Sequence, residues 1–214
     1  MKVHEYRGPE VVVRYDAGRC IHAGECVRGA PQVFDRDARP WVKPEGASLE
    51  HLLAVIARCP TGALTAVTPD GAPLEAPAAA NVASVQPRGP IYLRGRITVR
   101  GADHASWAEY TRIALCRCGA SANKPFCDGS HTQSGFADGG TCPGAPASVE
   151  GRAEGPIKVN PIDNGPLMIE GAVEFDAADG STFVTDKVWL CRCGHSGNKP
   201  FCDGTHKRIG FRSS

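Results

Sequence analysis

CRCGASANKPFCDGSH at residues 116–131 returns at residues 191–206 as CRCGHSGNKPFCDGTH. Thirteen of the sixteen positions agree. They include every candidate metal ligand: Cys116, Cys118, Cys127 and His131 in the first copy, and Cys191, Cys193, Cys202 and His206 in the second. Both copies read C-x-C-x8-C-x3-H. A C-x-C pair brings two thiolates to one iron, and a Cys and a His four residues apart share one face of a helical turn. The two groups suit the two irons of a [2Fe-2S] cluster. Gly119 and Gly194 permit a tight turn after each C-x-C, and Pro125 and Pro200 stiffen the loop before the third cysteine. The Asp-Gly that follows predicts a helix N-terminus, whose N–H groups favour a negatively charged cluster. Structural zinc is the competing reading, since three Cys and one His form an acceptable zinc set, although zinc sites usually begin C-x2-4-C.

The pattern C-x-C-x2-S-x3-P-x-C-D-G-[ST]-H resembles that of the mitoNEET-like CDGSH iron–sulfur domain family and is met in full in both copies. The resemblance implies a [2Fe-2S] cluster on three Cys and one His in each copy, with a β-rich cap beside a small cluster-binding helix. Each motif also ends a longer repeat. In GPIYLRGRITV, Ile91, Leu93, Ile97 and Val99 alternate with more polar residues, as Leu167, Ile169, Val173 and Phe175 do in GPLMIEGAVEF. Period-two alternation predicts half-buried strands. Gly95 and Gly171 interrupt them, as at a bulge or close backbone approach. Shorter strands, 112–115 and 187–190, lead into the motifs. Single-module members of the family are homodimers, so the tandem implies an intrachain pseudo-dimer; two independent beads are the alternative.

The N-terminal third predicts a compact α+β module. Val11 to Tyr15 and Ala63 to Val67 read as short strands, and Ser48 caps a helix with Leu49, Leu52, Leu53 and Ile56 on one face. Its chemistry lies in Cys20, Cys26 and Cys59-Pro60. RCIHAGEC, PWV and CPTGAL resemble a divergent single-cluster ferredoxin-like domain over about residues 10–68. Ordinary four-iron ferredoxins carry C-x2-C-x2-C, but here the middle position is Ala23. Three thiolates suit a [3Fe-4S] cluster; a [4Fe-4S] cluster needs a fourth ligand from water, a partner or His22. Imidazole is uncommon beside thiolate in such clusters, so His22 reads as a neighbour. Three buried cysteines in a small core are the plain alternative.

The whole chain is thus expected to be α+β: residues 1–68 ferredoxin-like, 69–88 an Ala/Pro-rich linker, 89–137 and 156–214 the CDGSH modules, and 138–155 a loop linker. Cys142, in that loop, lacks a nearby partner in sequence and reads as a free thiol. The formal net charge of +1 over 214 residues gives no signature of a nucleic-acid or membrane binder. MKVHEYRGPE has no apolar signal core and no window approaches a membrane span, so a soluble, cytoplasmic monomer is expected. The ten cysteines read as metal ligands rather than disulfides because of their spacing.

No nucleophile elbow, P-loop or dinucleotide fingerprint appears, so no enzymatic activity is expected. A carrier of electrons to a redox partner protein is the leading expectation. A carrier of clusters to an apo-acceptor, or a redox sensor, is the alternative, because a protonated imidazole releases iron. A zinc-built interaction module is the third. Replacing one thiolate by imidazole makes the cluster less negative and raises its potential. Arg117 and Arg192 either push the same way or are solvated surface charges, and Lys124 and Lys199 serve docking or solubility. His195 stands where the first copy has Ala120, which argues against an essential role.

Overall fold

A computed structural model describes residues 3–213, and the chain parts after Ala76 into two units, each with its own core. The described structure is mostly sheet with few helices.

The first unit is a three-stranded antiparallel sheet in the order β1 (Val3–Arg7), β2 (Val12–Asp16), β3 (Leu64–Val67). Strands β2 and β3 lie within one residue of the short strands expected at 11–15 and 63–67. Strand β1 was not anticipated: it is an edge strand of mostly exposed residues, so no apolar period marks it. Between β2 and β3 run α1 (Glu25–Gly29), which carries Cys26, and α2 (Leu49–Ala57). The Ser48 side chain accepts the His51 N–H at 3.3 Å, which caps α2 as expected. Leu52, Val55 and Ile56 are its buried residues, while Leu49 and Leu53 are only partly covered. Trp41 organises the rest, edge-on to Tyr15 at 4.9 Å and tilted against Phe34 at 5.9 Å.

The second unit holds both motif repeats. Its strands are β4 (Val82–Val85), β5 (Ile91–Arg100), β6 (Trp107–Leu115), β7 (Pro156–Pro161), β8 (Leu167–Asp176) and β9 (Thr182–Leu190), with a last short helix α3 (Thr205–Arg208). Each repeat's short first strand pairs twice. β4 runs antiparallel to β5 and parallel to β8; β7 runs antiparallel to β8 and parallel to β5. β6 and β9 flank β5 and β8. The two repeats therefore share one hydrogen-bonded strand system and one core, in which Ile97, Ile157, Ile169, Val173, Phe175 and Leu190 are almost fully buried. Each such aliphatic or aromatic side chain contributes about 1.5–3 kcal/mol.

The exchange of partners happens at the two mid-strand glycines. β5 pairs with β4 through residue 94 and with β7 from residue 96; the break falls at Gly95, whose φ is +139°. A Cβ there would stand 2.0 Å from Asn81 Oδ1, and one on Gly171 2.5 Å from the Pro156 carbonyl oxygen. Asn81 is 1% exposed. Its amide donates to the carbonyls of Gly155 and Ala172 at 3.0 and 2.9 Å, and its Oδ1 accepts the Arg96 N–H at 3.1 Å.

Three expectations are corrected. Residues 82–85, inside the stretch read as linker, form β4, with Ala83 and Val85 buried; two apolar positions are too short a signal against an Ala/Pro background. β7 was missed for the same reason. The strands before the motifs begin much earlier than residues 112 and 187; the first half of β6 is largely exposed, whereas that of β9 alternates, with Phe183 and Thr185 buried. Cys142 is a free thiol, as expected, and it is packed in the core.

Candidate metal centres

Each repeated motif is a loop stapled to the end of a strand. Leu115 bridges Phe126, and Leu190 bridges Phe201. The Cys116 N–H donates to the Pro125 carbonyl at 2.9 Å and the Cys127 N–H to that of Ala114 at 2.8 Å, so the first and third cysteines flank one bridge. The second copy repeats this at 2.7 and 2.9 Å with Cys191 and Cys202. Inside the loop, buried Ser121 donates to the Phe126 carbonyl at 2.7 Å, and Ser196 does so to that of Phe201 at the same distance. Lys124 and Lys199 turn back to the carbonyls of Ser121 and Ser196, so they tie the loop rather than stand free in solvent.

The donors come in pairs. Cys116 and Cys118 Sγ are 3.8 Å apart, and Cys191 and Cys193 Sγ 3.7 Å. Cys127 Sγ and His131 Nδ1 are 3.3 Å apart, as are Cys202 Sγ and His206 Nδ1. The spacing expectation is corrected in its means. Cys127 precedes the helical turn, a 3-10 turn at Ser130–Thr132, and Cys202 precedes α3. Left-handed Gly129 and Gly204, at φ +90° and +84°, fold the imidazole back to the thiol. Asp128 and Asp203 fasten that turn. Asp128 accepts the N–H groups of Ser130 and Ala122, and Asp203 those of Thr205 and Gly197, at 2.8–3.0 Å. These bonds hold the Asp203 carboxyl well below the usual range.

The thiols are poised unevenly. The hydrogen bond from Cys116 draws Cys118 down to about 6, against the cost of burial, and the Ala120 N–H at 3.4 Å assists. The same bond, with burial, pushes Cys116 up. Burial pushes Cys127 and Cys193 up to about 11. A metal core displaces these protons.

Arg117 and Arg192 are neither solvated nor aimed at the sulfurs. Both are buried. Arg117 donates to the carbonyls of Gly89 and Gln86 at 3.0 and 2.6 Å, pairs with Asp138, and lies 4.9 Å from the Phe136 ring. Arg192 donates to the carbonyls of Gly165, at 3.0 Å, and Ile162, and lies over Phe211 at 5.8 Å. Each C-x-C is thereby locked to the turn before its repeat's long strand. Phe136 and Phe211 were missed in the sequence, although both lie in a Gly-Phe five residues after the motif histidine.

The two motifs meet. A Cβ on Gly119 would stand 2.4 Å from the Cys193 carbonyl oxygen, and one on Gly194 2.2 Å from that of Cys118. A cavity of about 550 Å³ opens beside this junction, lined among others by Cys118, Asp138, His195 and Lys199. His195 Nδ1 donates to its own loop, at the Cys193 carbonyl, 2.7 Å away.

In the first unit, Cys20, Cys26 and Cys59 line one small cavity with Tyr15, Trp41 and Thr61. All three are free thiols. Burial, and then the neighbouring charges of Cys59 and Cys20, raise Cys26.

Among the described residues no three His, Cys, Asp or Glu side chains converge on one point. In each motif the donors stand as two pairs, one C-x-C and one Cys–His, and a two-iron core takes one pair per iron. Backbone N–H groups of Ala120 and Gly129 reach the sulfurs of Cys118 and Cys127 at 3.4 Å, a contact that favours thiolate. This donor chemistry fits a cluster held by Cys116, Cys118, Cys127 and His131, and a second held by Cys191, Cys193, Cys202 and His206. The cavity of three thiols fits a further cluster on Cys20, Cys26 and Cys59.

Comparison with known proteins agrees with this division. Residues 6–69 match the family described as "Divergent 4Fe-4S mono-cluster". Residues 88–132 and 164–207 each match "Iron-binding zinc finger CDGSH type". Over 59 residues the chain is 36% identical to "Uncharacterized protein YjdI" of Escherichia coli (strain K12), a stretch that covers 28% of this chain and 78% of that protein. The protein of the same name from Escherichia coli O157:H7 is similar to the same degree.

Proposed function

Because the chain belongs to the divergent 4Fe-4S mono-cluster family in residues 6–69 and to the CDGSH family in residues 88–132 and 164–207, and is thereby a multi-cluster iron–sulfur protein, we propose that it transfers electrons. Two [2Fe-2S] clusters would sit on the two Cys3His sets, and a cluster of three or four irons on Cys20, Cys26 and Cys59. The clusters, when bound, supply one-electron chemistry. The protein is not an enzyme in this reading; it is a cytoplasmic monomer of α+β type, its repeats form an intrachain pseudo-dimer, and it serves a redox partner protein. No helix among the described residues is long and apolar enough to cross a membrane.

The observation that carries the reading is the junction of Gly119 with Cys193 and of Gly194 with Cys118. It puts one ligand residue of each cluster in backbone contact with the other motif. The reciprocal strand pairing of β4 with β8 and β7 with β5 supports the pseudo-dimer. Delivery of clusters to an apo-acceptor is the second reading. It is favoured by His131 and His206, which are half-buried imidazoles where Cys116 and Cys191 are buried thiols.

The test is a direct competition. Protein purified anaerobically, reduced and mixed with an oxidised redox protein should pass electrons faster than it passes clusters to an apo-ferredoxin. The reverse order would favour the second reading. Colourless protein with stoichiometric zinc and no acid-labile sulfide would sink both and favour a zinc-built interaction module.

A further inference from the structure

The two repeats diverge just after each histidine. His131 is followed by Thr132-Gln133-Ser134-Gly135-Phe136-Ala137-Asp138, and His206 by Lys207-Arg208-Ile209-Gly210-Phe211-Arg212-Ser213. The Gly-Phe pair is kept. Around it, three neutral side chains of the first repeat become cations in the second, and Asp138 becomes Ser213. We propose that this segment of the second repeat is the docking face for an acidic redox protein, so that the chain meets its partner at the second CDGSH site and not at the first. The proposal rests on the electron-transfer reading above.

The charges are presented outward. Lys207, Arg208, Ile209 and Arg212 are all exposed, Ile209 at 46%. Lys207 and Arg208 belong to α3, the helix that also carries His206, so positive charge adjoins a proposed ligand. Among the described residues no carboxylate pairs with any of the three cations. Asp203, in the same turn, is matched by Asp128 in the first repeat, so it does not offset the difference between them. Asp163 is taken up by His104 at 2.9 Å. The segment is also held in place. Arg208 donates to the Thr205 hydroxyl at 2.8 Å and the Phe211 N–H to the His206 carbonyl at 3.0 Å, while Ser213 and Asn164 exchange two bonds at 3.0 and 3.1 Å.

Cations in the last turn of a helix also suit its dipole. That does not account for these. The first repeat makes its own turn with Thr132 and Gln133 in the same places, and Arg212 lies beyond α3. Three cations are few for a nucleic acid, whose binders commonly neutralise about 6–10 phosphates. They are few also for an anionic membrane, which is recognised by clusters of about 4–8. An exposed apolar residue flanked by charge, as Ile209 is, fits a protein interface. Charge of one sign there steers an oppositely charged protein and fixes its register.

The experiment uses the full chain, reconstituted anaerobically, with an acidic flavodoxin as the probe. Titration calorimetry at rising salt reads binding. Stopped-flow absorbance reads electron transfer, in which one electron leaves the reduced protein and enters the oxidised flavin. The triple variant Lys207→Thr, Arg208→Gln, Arg212→Ala gives the second repeat the side chains of the first. It should weaken binding about tenfold and flatten its salt dependence, at unchanged iron content and melting temperature. Arg212→Glu alone, outside the ligand turn, should weaken binding in the same sense, and more at low salt than at high. Equal affinity and salt dependence in wild type and both variants would overturn the docking face. So would tighter binding of a short DNA duplex, or of phosphatidylserine vesicles, than of the flavodoxin. Electron transfer at the wild-type rate in both variants would overturn the docking face and leave the electron-transfer reading intact. Binding that depends on the three cations without reduction of the flavin would support the docking face and overturn that reading instead.

Discussion

Gly119 and Cys193 touch across the two repeats, where a Cβ on the glycine would stand 2.4 Å from the cysteine's carbonyl oxygen. Gly119 also sits at φ +80°, so an added side chain meets strain as well as backbone. Gly119→Ala should cost about 1–3 kcal/mol from conformation and overpacking. Because the carbonyl it strikes belongs to a proposed ligand residue of the other motif, the visible absorbance of both proposed [2Fe-2S] sites should fall, not that of one alone. Quantified absorbance and a thermal melt of the loaded protein check this. Loss confined to the first motif would mean that the junction does not couple the sites.

His131→Cys and His206→Cys replace a neutral proposed ligand with an anionic one. Each should lower the potential of its own cluster and make it outlast wild type in mild acid, because imidazole loses its iron-binding lone pair on protonation. The double change should spare both clusters and leave the N-terminal one as it was. Absorbance decay at several pH values, with potentiometry, reads the result; unchanged lability and potentials in both single variants would remove His131 and His206 from the ligand set.

In metal-free protein the cysteines should not react alike. The Cys116 hydrogen bond holds Cys118 at about 6, so at pH 7.5 it is mostly thiolate, and it is half-buried rather than sealed. Cys127 and Cys193, raised by burial to about 11, stay protonated. The thiolate is the nucleophile, so iodoacetamide should label Cys118 well before Cys127 or Cys193. Its rate should drop as pH falls through 6. Mass spectrometry of a time course decides, and equal labelling of the three would refute the ordering.

Arg117→Lys keeps the charge but not the fork that reaches Gly89, Gln86 and Asp138 together. Each buried carbonyl that the lysine ammonium leaves unsatisfied costs about 1–3 kcal/mol. The loss should appear as a lower melting temperature of the second unit, with little change in the potential of any cluster that remains. A large shift in potential at unchanged stability would restore Arg117 to an electronic role.

The repeat made the motifs legible. Every proposed CDGSH ligand could be named from two aligned stretches, and Ile91 to Val99 announced a strand by alternation. Asn81 was invisible, because one Asn in an Ala-rich stretch has no period and its worth lies in reaching Gly155 and Ala172, far along the chain. Arg117 and Arg192 were misread because their spacing put them beside sulfur, while their carbonyl partners lie in turns that only the fold brings near.

The reciprocal pairing of β4 with β8 and β7 with β5 has a consequence for biosynthesis. A nascent chain that has emerged through Phe136 carries the whole first motif, yet β4 still awaits Glu174 and β5 still awaits Pro156. Until those residues leave the ribosome, two strand edges and the apolar face beneath them stay open to other chains. Metal insertion into the first motif is therefore expected to wait for the second. Assembly of the second unit becomes a single late event, and a translation product truncated after Phe136 should accumulate with its CDGSH motif unloaded.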